Sequence, residues 1–335
     1  MTRSTLHGFL SILLLASGLQ LGCSDDGGTP TLDGPSGDSV RTDGNVPTEG
    51  GTPDGPNKDG SPSKPCGFTV GDTLKSVVGD NKNFTIGGVQ RTFIVQLVNV
   101  PQGYSKKLPI IFGFHGTGSY YNIATKYFVP VSESRPFIYV VPLGSGTFEY
   151  PWDFTADPAQ NKDIKFFDDM IQCLDAQFDV DMDHIHAFGF SWGGHWIDYL
   201  VSYRGNVLAS AAQLSSGAIN PKGATFEGLI SKNNPKPAQL VIWGGTTDQY
   251  NGYSFDQTSK DTVASFRKEG YFVVQCIHSS GHDITPPESL NKFIFEFFQD
   301  HPRGVSPEPY LQWPPSTPFT KGTYLKWPTW CQPAP

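Results

Sequence analysis

Gly189-Phe190-Ser191-Trp192-Gly193 places a serine between two glycines, two positions from each, directly after the apolar run His184–Phe188. A serine hydroxyl is a weak nucleophile unless it is lifted out of the chain and paired with a base. Glycines at this spacing permit a tight strand-to-helix turn with the hydroxyl at its apex. Trp196, Ile197, Leu200 and Val201 follow at helical spacing, and Gly194 adds a small residue where the helix must pass the sheet. The pattern predicts strand, turn, helix, with Ser191 as nucleophile. The plainer alternative is a glycine-rich turn whose serine only caps the helix.

Activating that hydroxyl takes an imidazole and a carboxylate to orient it. In α/β-hydrolases they follow the serine in the order acid, then histidine, each in a loop after a strand. Leu240–Trp243 is a buried-strand pattern running through Gly244-Gly245-Thr246-Thr247 into Asp248, which is the expected acid. Asp256 and Asp261 are its rivals; the first lies further from the strand end and the second in a predicted helix. The last strand pattern leads to His278-Ser279-Ser280-Gly281-His282. His282 is the expected base, with His278 in reserve. His184, His186 and His195 have packing as their default role. Acyl transfer also needs amide donors for the oxyanion. Trp192 supplies one N–H, and the loop His115-Gly116-Thr117-Gly118 supplies the other through Thr117, with Gly118 the alternative.

The elements that must carry these loops are legible as alternating runs. Strands are predicted at Thr92–Val98, Pro109–Phe114, Phe137–Val141, His184–Phe188, Ala209–Leu214, Leu240–Trp243 and Tyr271–Cys276. Several are continuous apolar runs, as in a sheet covered on both faces. Asp163–Phe178 repeats its apolar residues on one helical face, and Ser259–Glu269 and Glu288–Phe298 look similar. The expected fold class is α/β, with a mostly parallel central sheet and helices on both faces.

The remaining sequence has a different character. Arg3 precedes an apolar run, Phe9–Ala16, that is too short to span a bilayer and reads as a secretory signal. Leu19-Gln20-Leu21-Gly22-Cys23 resembles a bacterial lipobox, in which Cys23 is lipidated; Gln20 and Leu21 depart from that pattern, and cleavage after Ala16-Ser17-Gly18 is the competing reading. Residues 24–65 are Gly, Pro, Asp, Ser and Thr with almost no large apolar side chain, a composition expected to stay disordered. The expected organisation is a signal peptide (1–22), an acidic tether (23–65), a catalytic domain (66–300) and a Pro/aromatic-rich tail (301–335) holding Trp313, Trp327 and Trp330. Much of the net charge of −8 sits in the tether. No basic stripe points to nucleic acid. No cofactor or metal motif is present, so none is expected. With Cys23 set aside, Cys66, Cys173, Cys276 and Cys331 allow three pairings; Cys66–Cys173 with Cys276–Cys331 is the weakly favoured set, stapling both ends of the domain to its body.

His115–Gly118, Asp163 with Phe166-Phe167-Asp168, Gly189–Gly194, Thr246-Thr247-Asp248 and Gly281-His282 resemble, in order and spacing, one group of α/β-hydrolases. These are the secreted serine esterases that include polyhydroxybutyrate depolymerases and feruloyl or acetyl-xylan esterases. The resemblance spans roughly residues 66–300. It implies that Ser191 attacks an ester carbonyl while His282 acts as base and then acid. The run Asp283-Ile284-Thr285-Pro286 and the indole of Trp192 depart from many members, and both lie near the expected acyl pocket. Tyr120, Tyr121 and Trp152 are candidates for a substrate wall. Three functions compete: an exported, lipid-anchored or secreted esterase acting on aryl or acetyl esters of a polysaccharide; a polyhydroxyalkanoate depolymerase; and a non-catalytic surface-binding lipoprotein on the same scaffold. A peptidase is weaker, since no propeller-like partner domain is visible.

Overall fold

The computed structural model describes residues 71–72, 80–86, 89–118, 123, 135–220, 224–283, 288–306, 308–311 and 328–335. Cys23, Cys66, Tyr120, Tyr121, Trp313 and Trp327 lie outside them.

Twelve strands are described: β1 (Gly71–Asp72), β2 (Asp80–Ile86), β3 (Val89–Val98), β4 (Leu108–Phe114), β5 (Phe137–Pro142), β6 (Val180–Phe190), β7 (Ser210–Leu214), β8 (Ala238–Trp243), β9 (Gln249–Tyr250), β10 (Tyr253–Ser254), β11 (Val273–Ile277) and β12 (Cys331–Pro333). The helices are α1 (Lys162–Phe178), α2 (Trp192–Arg204), α3 (Phe226–Ile230), α4 (Phe255–Lys268) and α5 (Glu288–Asp300). Ten strands form one sheet in the order β1-β3-β5-β4-β6-β7-β8-β11-β12, with β2 also paired to β3. From β5 to β11 every pairing is parallel. β3 and β12 run antiparallel to their neighbours β5 and β11 at the two sides.

The alternation of strand side chains divides the core in two. Ile110, Phe112, Phe114, Ile138 and Val140 join Phe167, Met170, Trp196, Leu200 and Phe266 from α1, α2 and α4. Ile111, Phe137, Tyr139 and Val141 join Leu290, Phe293, Ile294 and Phe298 from α5. A strand whose successive residues both find apolar cover must be apolar throughout, which accounts for the unbroken runs in β4 and β5.

Most boundaries shift by one to four residues from those expected, β6 beginning at Val180 and β3 at Val89, and two of the shifts have a local reason. The strand expected from Tyr271 starts at Val273 because the Tyr271 N–H donates to Phe266 O and closes the end of α4. Helix α4 begins at Phe255 rather than Ser259 because its first turn is tied to the loop after β7. Thr258 and Ser259 both donate to Ser216 O, at 2.9 Å each. At the start of α1, Asn161 caps the helix by accepting from the Asp163 and Ile164 N–H groups.

The last residues are part of the body. β12 pairs with β11, and Cys331 is disulfide-bonded to Cys276 across that pairing. Cys173 is also disulfide-bonded; the partner expected for it, Cys66, is not among the described residues.

At the end of α5 a buried aspartate supplies a pH-dependent contribution. Asp300 accepts from the Tyr310 hydroxyl at 2.9 Å. Burial pushes its carboxyl up to about 6, with Glu296 adding to the rise and Tyr310, His301 and Arg135 opposing it. A carboxyl with a raised native pKa favours folding most below its unfolded value, about pH 4, and that contribution is lost as pH rises through about 6. The melting-temperature difference between Asp300→Asn and the wild type therefore moves in the variant's favour between about pH 4 and pH 7. Thermal melts at the two pH values check this; an unchanged difference would mean that Asp300 does not titrate between them.

Candidate active site

Ser191 sits where β6 turns into α2, with φ 54° and ψ −119°. Left-handed φ is costly for a residue with a Cβ and persists only where the surroundings enforce it. Here the enforcement comes from crowding. A Cβ on Gly193 would run into the carbonyl of Phe114, and one on Gly189 into the carbonyl of Gly193. The Ser191 N–H donates to Leu214 O at 2.8 Å, anchoring the turn to the neighbouring strand β7.

The acid and the histidine meet the serine from loops after β8 and β11. His282 Nε2 lies 3.1 Å from Ser191 Oγ, and Nδ1 lies 2.8 Å from Asp248 Oδ1. An ionised carboxylate only accepts, so the Nδ1 nitrogen carries the proton and Nε2 offers its lone pair to the serine hydroxyl. Asp248 is fully buried. Its other oxygen accepts from Ser215 Oγ and from the Gly244 N–H, each at 2.7 Å. Burial alone would raise this carboxyl, but hydrogen bonds from His282, Gly244 and Ser215 hold it below its ordinary value. Ser215 gave no signal in the sequence. It reaches the acid because β7 and β8 are paired at Leu214 and Ile242, which brings the two strand ends side by side. The imidazole is enclosed by the rings of Phe255 at 4.3 Å, Phe190 at 4.9 Å and Tyr250 at 5.5 Å.

The rival residues are occupied elsewhere. Asp256 accepts from Trp243 Nε1 and from Lys260, and Asp261 from Gln257. His278 is buried and accepts the Ser280 N–H within its own loop. His195 donates from Nδ1 to Gly217 O and is kept neutral by burial, its pKa falling to about 4.

The loop after β4 lies against the elbow. A Cβ on Gly116 would come within 2.9 Å of the Ser191 Cβ. His115 Nδ1 donates to Gly116 O at 2.7 Å, and its Nε2 accepts from the Gly144 N–H at 3.2 Å. Burial lowers this imidazole to about 4, so it stays neutral in that tautomer. Because a peptide's C=O and N–H point in opposite directions, holding the Gly116 carbonyl turns the Thr117 N–H away from it. Trp192 opens α2, where a helix leaves its N–H groups without intrahelical acceptors.

Trp152 does not line an opening. It is buried among Phe114, Trp196 and His115, and its Nε1–H donates to His115 O at 2.8 Å, so it braces the loop from beneath. Asp163 in turn holds the Trp152 loop. It accepts from Arg91, from the Ser145 N–H and hydroxyl, and from the Asp153 N–H. The tip of that loop exposes Phe148 and Tyr150 and touches Thr117, whose hydroxyl donates to Glu149 O. Tyr150 also packs edge-on against Trp192.

No protein-family model matches the chain. Feruloyl esterase D of Neurospora crassa is 28% identical over 196 residues, 52% of this chain and 58% of the relative. Probable feruloyl esterase C of Aspergillus terreus is 30% identical over 167 residues, 45% of this chain and 59% of the relative. The chain thus spans less than two-thirds of the length of these relatives. Among solved structures, native sOPH superposes with a TM-score of 0.57 at 15% identity, covering 76% of this chain and 93% of the other. Native pOPH gives 0.51 at 18% identity, with coverage of 76% and 93%. The likeness is one of architecture, and the architecture is the α/β-hydrolase fold.

Proposed function

We propose that this α/β-hydrolase-fold protein is a serine carboxylester hydrolase whose nucleophile is Ser191, whose base is His282 and whose orienting acid is Asp248. The observation that carries the reading is the unbroken hydrogen-bonded series from Asp248 through His282 to a strained, glycine-flanked serine. Ser191 Oγ attacks the ester carbonyl carbon as its proton passes to His282 Nε2. The oxyanion so formed takes hydrogen bonds from the Thr117 and Trp192 N–H groups. Collapse of the tetrahedral intermediate breaks the bond to the alcohol, which leaves with the proton from Nε2. Water, deprotonated by the same nitrogen, then attacks the acyl-serine and releases the acid. Throughout, the buried carboxylate of Asp248 offsets the positive charge that appears on the ring.

The names of the two curated relatives favour an aryl ester, and the exposed aromatics Phe148 and Tyr150 beside the oxyanion loop suit such an acyl group. We therefore assign aryl or acetyl esters of a polysaccharide as substrates, with a polyhydroxyalkanoate as the second reading. We also propose that the protein is exported, in keeping with its Cys276–Cys331 disulfide, and is either held to a membrane through lipid on Cys23 or secreted.

A panel of methyl ferulate, acetylated xylan and short polyhydroxybutyrate tests the assignment. The expected result is turnover of the first two well above the third. Preference for the polyester would select the second reading. A protein inert toward all three and toward p-nitrophenyl acetate would be a binding lipoprotein.

A further inference from the structure

Between the acid and the helix after it, the chain inserts a hairpin of two-residue strands. Asn251 and Gly252, with φ of 50° and 79°, make the two-residue turn with left-handed φ at both positions that joins β9 to β10. Its base is closed by the Phe255 N–H donating to Asp248 O at 2.9 Å, so the hairpin stands directly on the acid's own backbone. Tyr250 and Tyr253 are direct cross-strand partners. Opposed residues of an antiparallel pair project from the same face. Both rings remain open to solvent, at 52% and 45% exposure. Tyr250 stacks near the His282 ring at 5.5 Å, while Tyr253 packs on His195 at 5.9 Å and on Phe255 at 4.9 Å. Gln249 and Asn251 are exposed beside them, giving amides next to aromatic faces.

The proposed chemistry fixes which part of the substrate meets this hairpin. His282 Nε2 must hand its proton to the leaving oxygen, so that oxygen comes within hydrogen-bond reach of the imidazole. The alcohol attached to it emerges beside His282, where Tyr250 stands with Tyr253 opposite it on the same hairpin. The acyl group is left for the oxyanion-loop side, beside Tyr150 and Phe148, with Trp192 between the two sides because it packs on His195 as Tyr253 does. An alcohol met by half-solvated tyrosine faces, with the exposed amides of Gln249 and Asn251 at the rim, matches a carbohydrate. Sugar rings offer apolar C–H faces edged by hydroxyls, whereas an aliphatic chain has no use for the polar rim.

We infer that Tyr250 and Tyr253 form an alcohol-side platform that stacks a sugar ring of the leaving group and so sets preference for esters linked to a polysaccharide. The inference rests on the esterase reading above. These are specificity-determining residues, and the readout is a preference within one protein sample, so a general loss of folded protein cancels.

The experiment compares kcat/KM for methyl ferulate with kcat/KM for ferulate esterified to arabinose. Tyr250→Ala or Tyr253→Ala lowers the preference for the sugar ester about tenfold, whereas Tyr250→Phe, which keeps the ring, lowers it by less than about threefold. An unesterified arabinoxylan oligosaccharide inhibits the wild type competitively, and its Ki rises by a similar factor in the alanine variants. Wild type that turns over both esters, with a preference unmoved by either alanine, overturns the platform. Loss of preference for long alkyl esters instead of sugar esters overturns it too. If the wild type hydrolyses neither ester, the esterase reading fails first and the platform falls with it.

Discussion

Alanine at position 191 lowers kcat/KM for p-nitrophenyl acetate by at least about a thousandfold, because among the described residues no other hydroxyl or thiol is hydrogen-bonded to His282 Nε2. What remains is the contribution of the oxyanion donors and of binding, which act on water's own slow attack. The strained backbone gives the experiment a second arm. With φ at 54°, Ser191 sits in a region that a residue bearing a Cβ resists and glycine accepts. Ser191→Gly should therefore abolish turnover as Ser191→Ala does, yet melt higher than the alanine variant, by the effect of about 1 kcal/mol of relieved strain. Equal activity in wild type and alanine variant would remove the serine mechanism altogether. Loss of activity accompanied by collapse of the thermal transition in both variants would point to folding instead of chemistry.

Asp248→Asn should cost about 10⁴ in kcat, a loss out of proportion to one atom's change. Ser215 Oγ and the Gly244 N–H both donate to the second oxygen of this side chain, so an asparagine must turn its carbonyl toward them. Its amide then faces His282 and donates to Nδ1. That moves the ring proton to Nε2, the nitrogen that has to accept from Ser191. Kinetics on p-nitrophenyl acetate measure the effect, and recovery of rate at high pH, where stronger base can act from solution, distinguishes a wrong tautomer from a misfolded site. A drop of less than about tenfold would show that the carboxylate does not orient the ring. The lowered pKa of Asp248 adds a sign. Its ionised form contributes stability above the unfolded aspartate value and loses it only as pH falls through a lower native one, so the orienting charge persists through weakly acidic solution.

How far the sequence reveals this arrangement depends on whether the signal is local. β4 and β5 are legible because each is a continuous apolar run, and α1 because Ile164, Phe167, Met170, Ile171 and Leu174 repeat at helical spacing. Ser191, Asp248 and His282 stand out for the same reason, each lying a few residues beyond a strand pattern. Ser215 does not, since a serine after β7 looks like any turn residue until β8 is paired beside it. Trp152 reads as one more aromatic in a loop rich in them. Only the Asp163 network, closing on the loop from residues 10 and 18 positions away and from Arg91, turns it inward. The β9–β10 hairpin escapes notice because its strands are two residues long, although Asn251-Gly252 is a strong turn pair.

A parallel sheet ordinarily ends in a row of free amide and carbonyl groups that invites another chain to add itself. Here the reversed strand β12, locked by Cys331 to Cys276, occupies that row along β11. The edge left on this flank is three residues long and ends in Pro333, which gives an incoming strand little backbone to pair with.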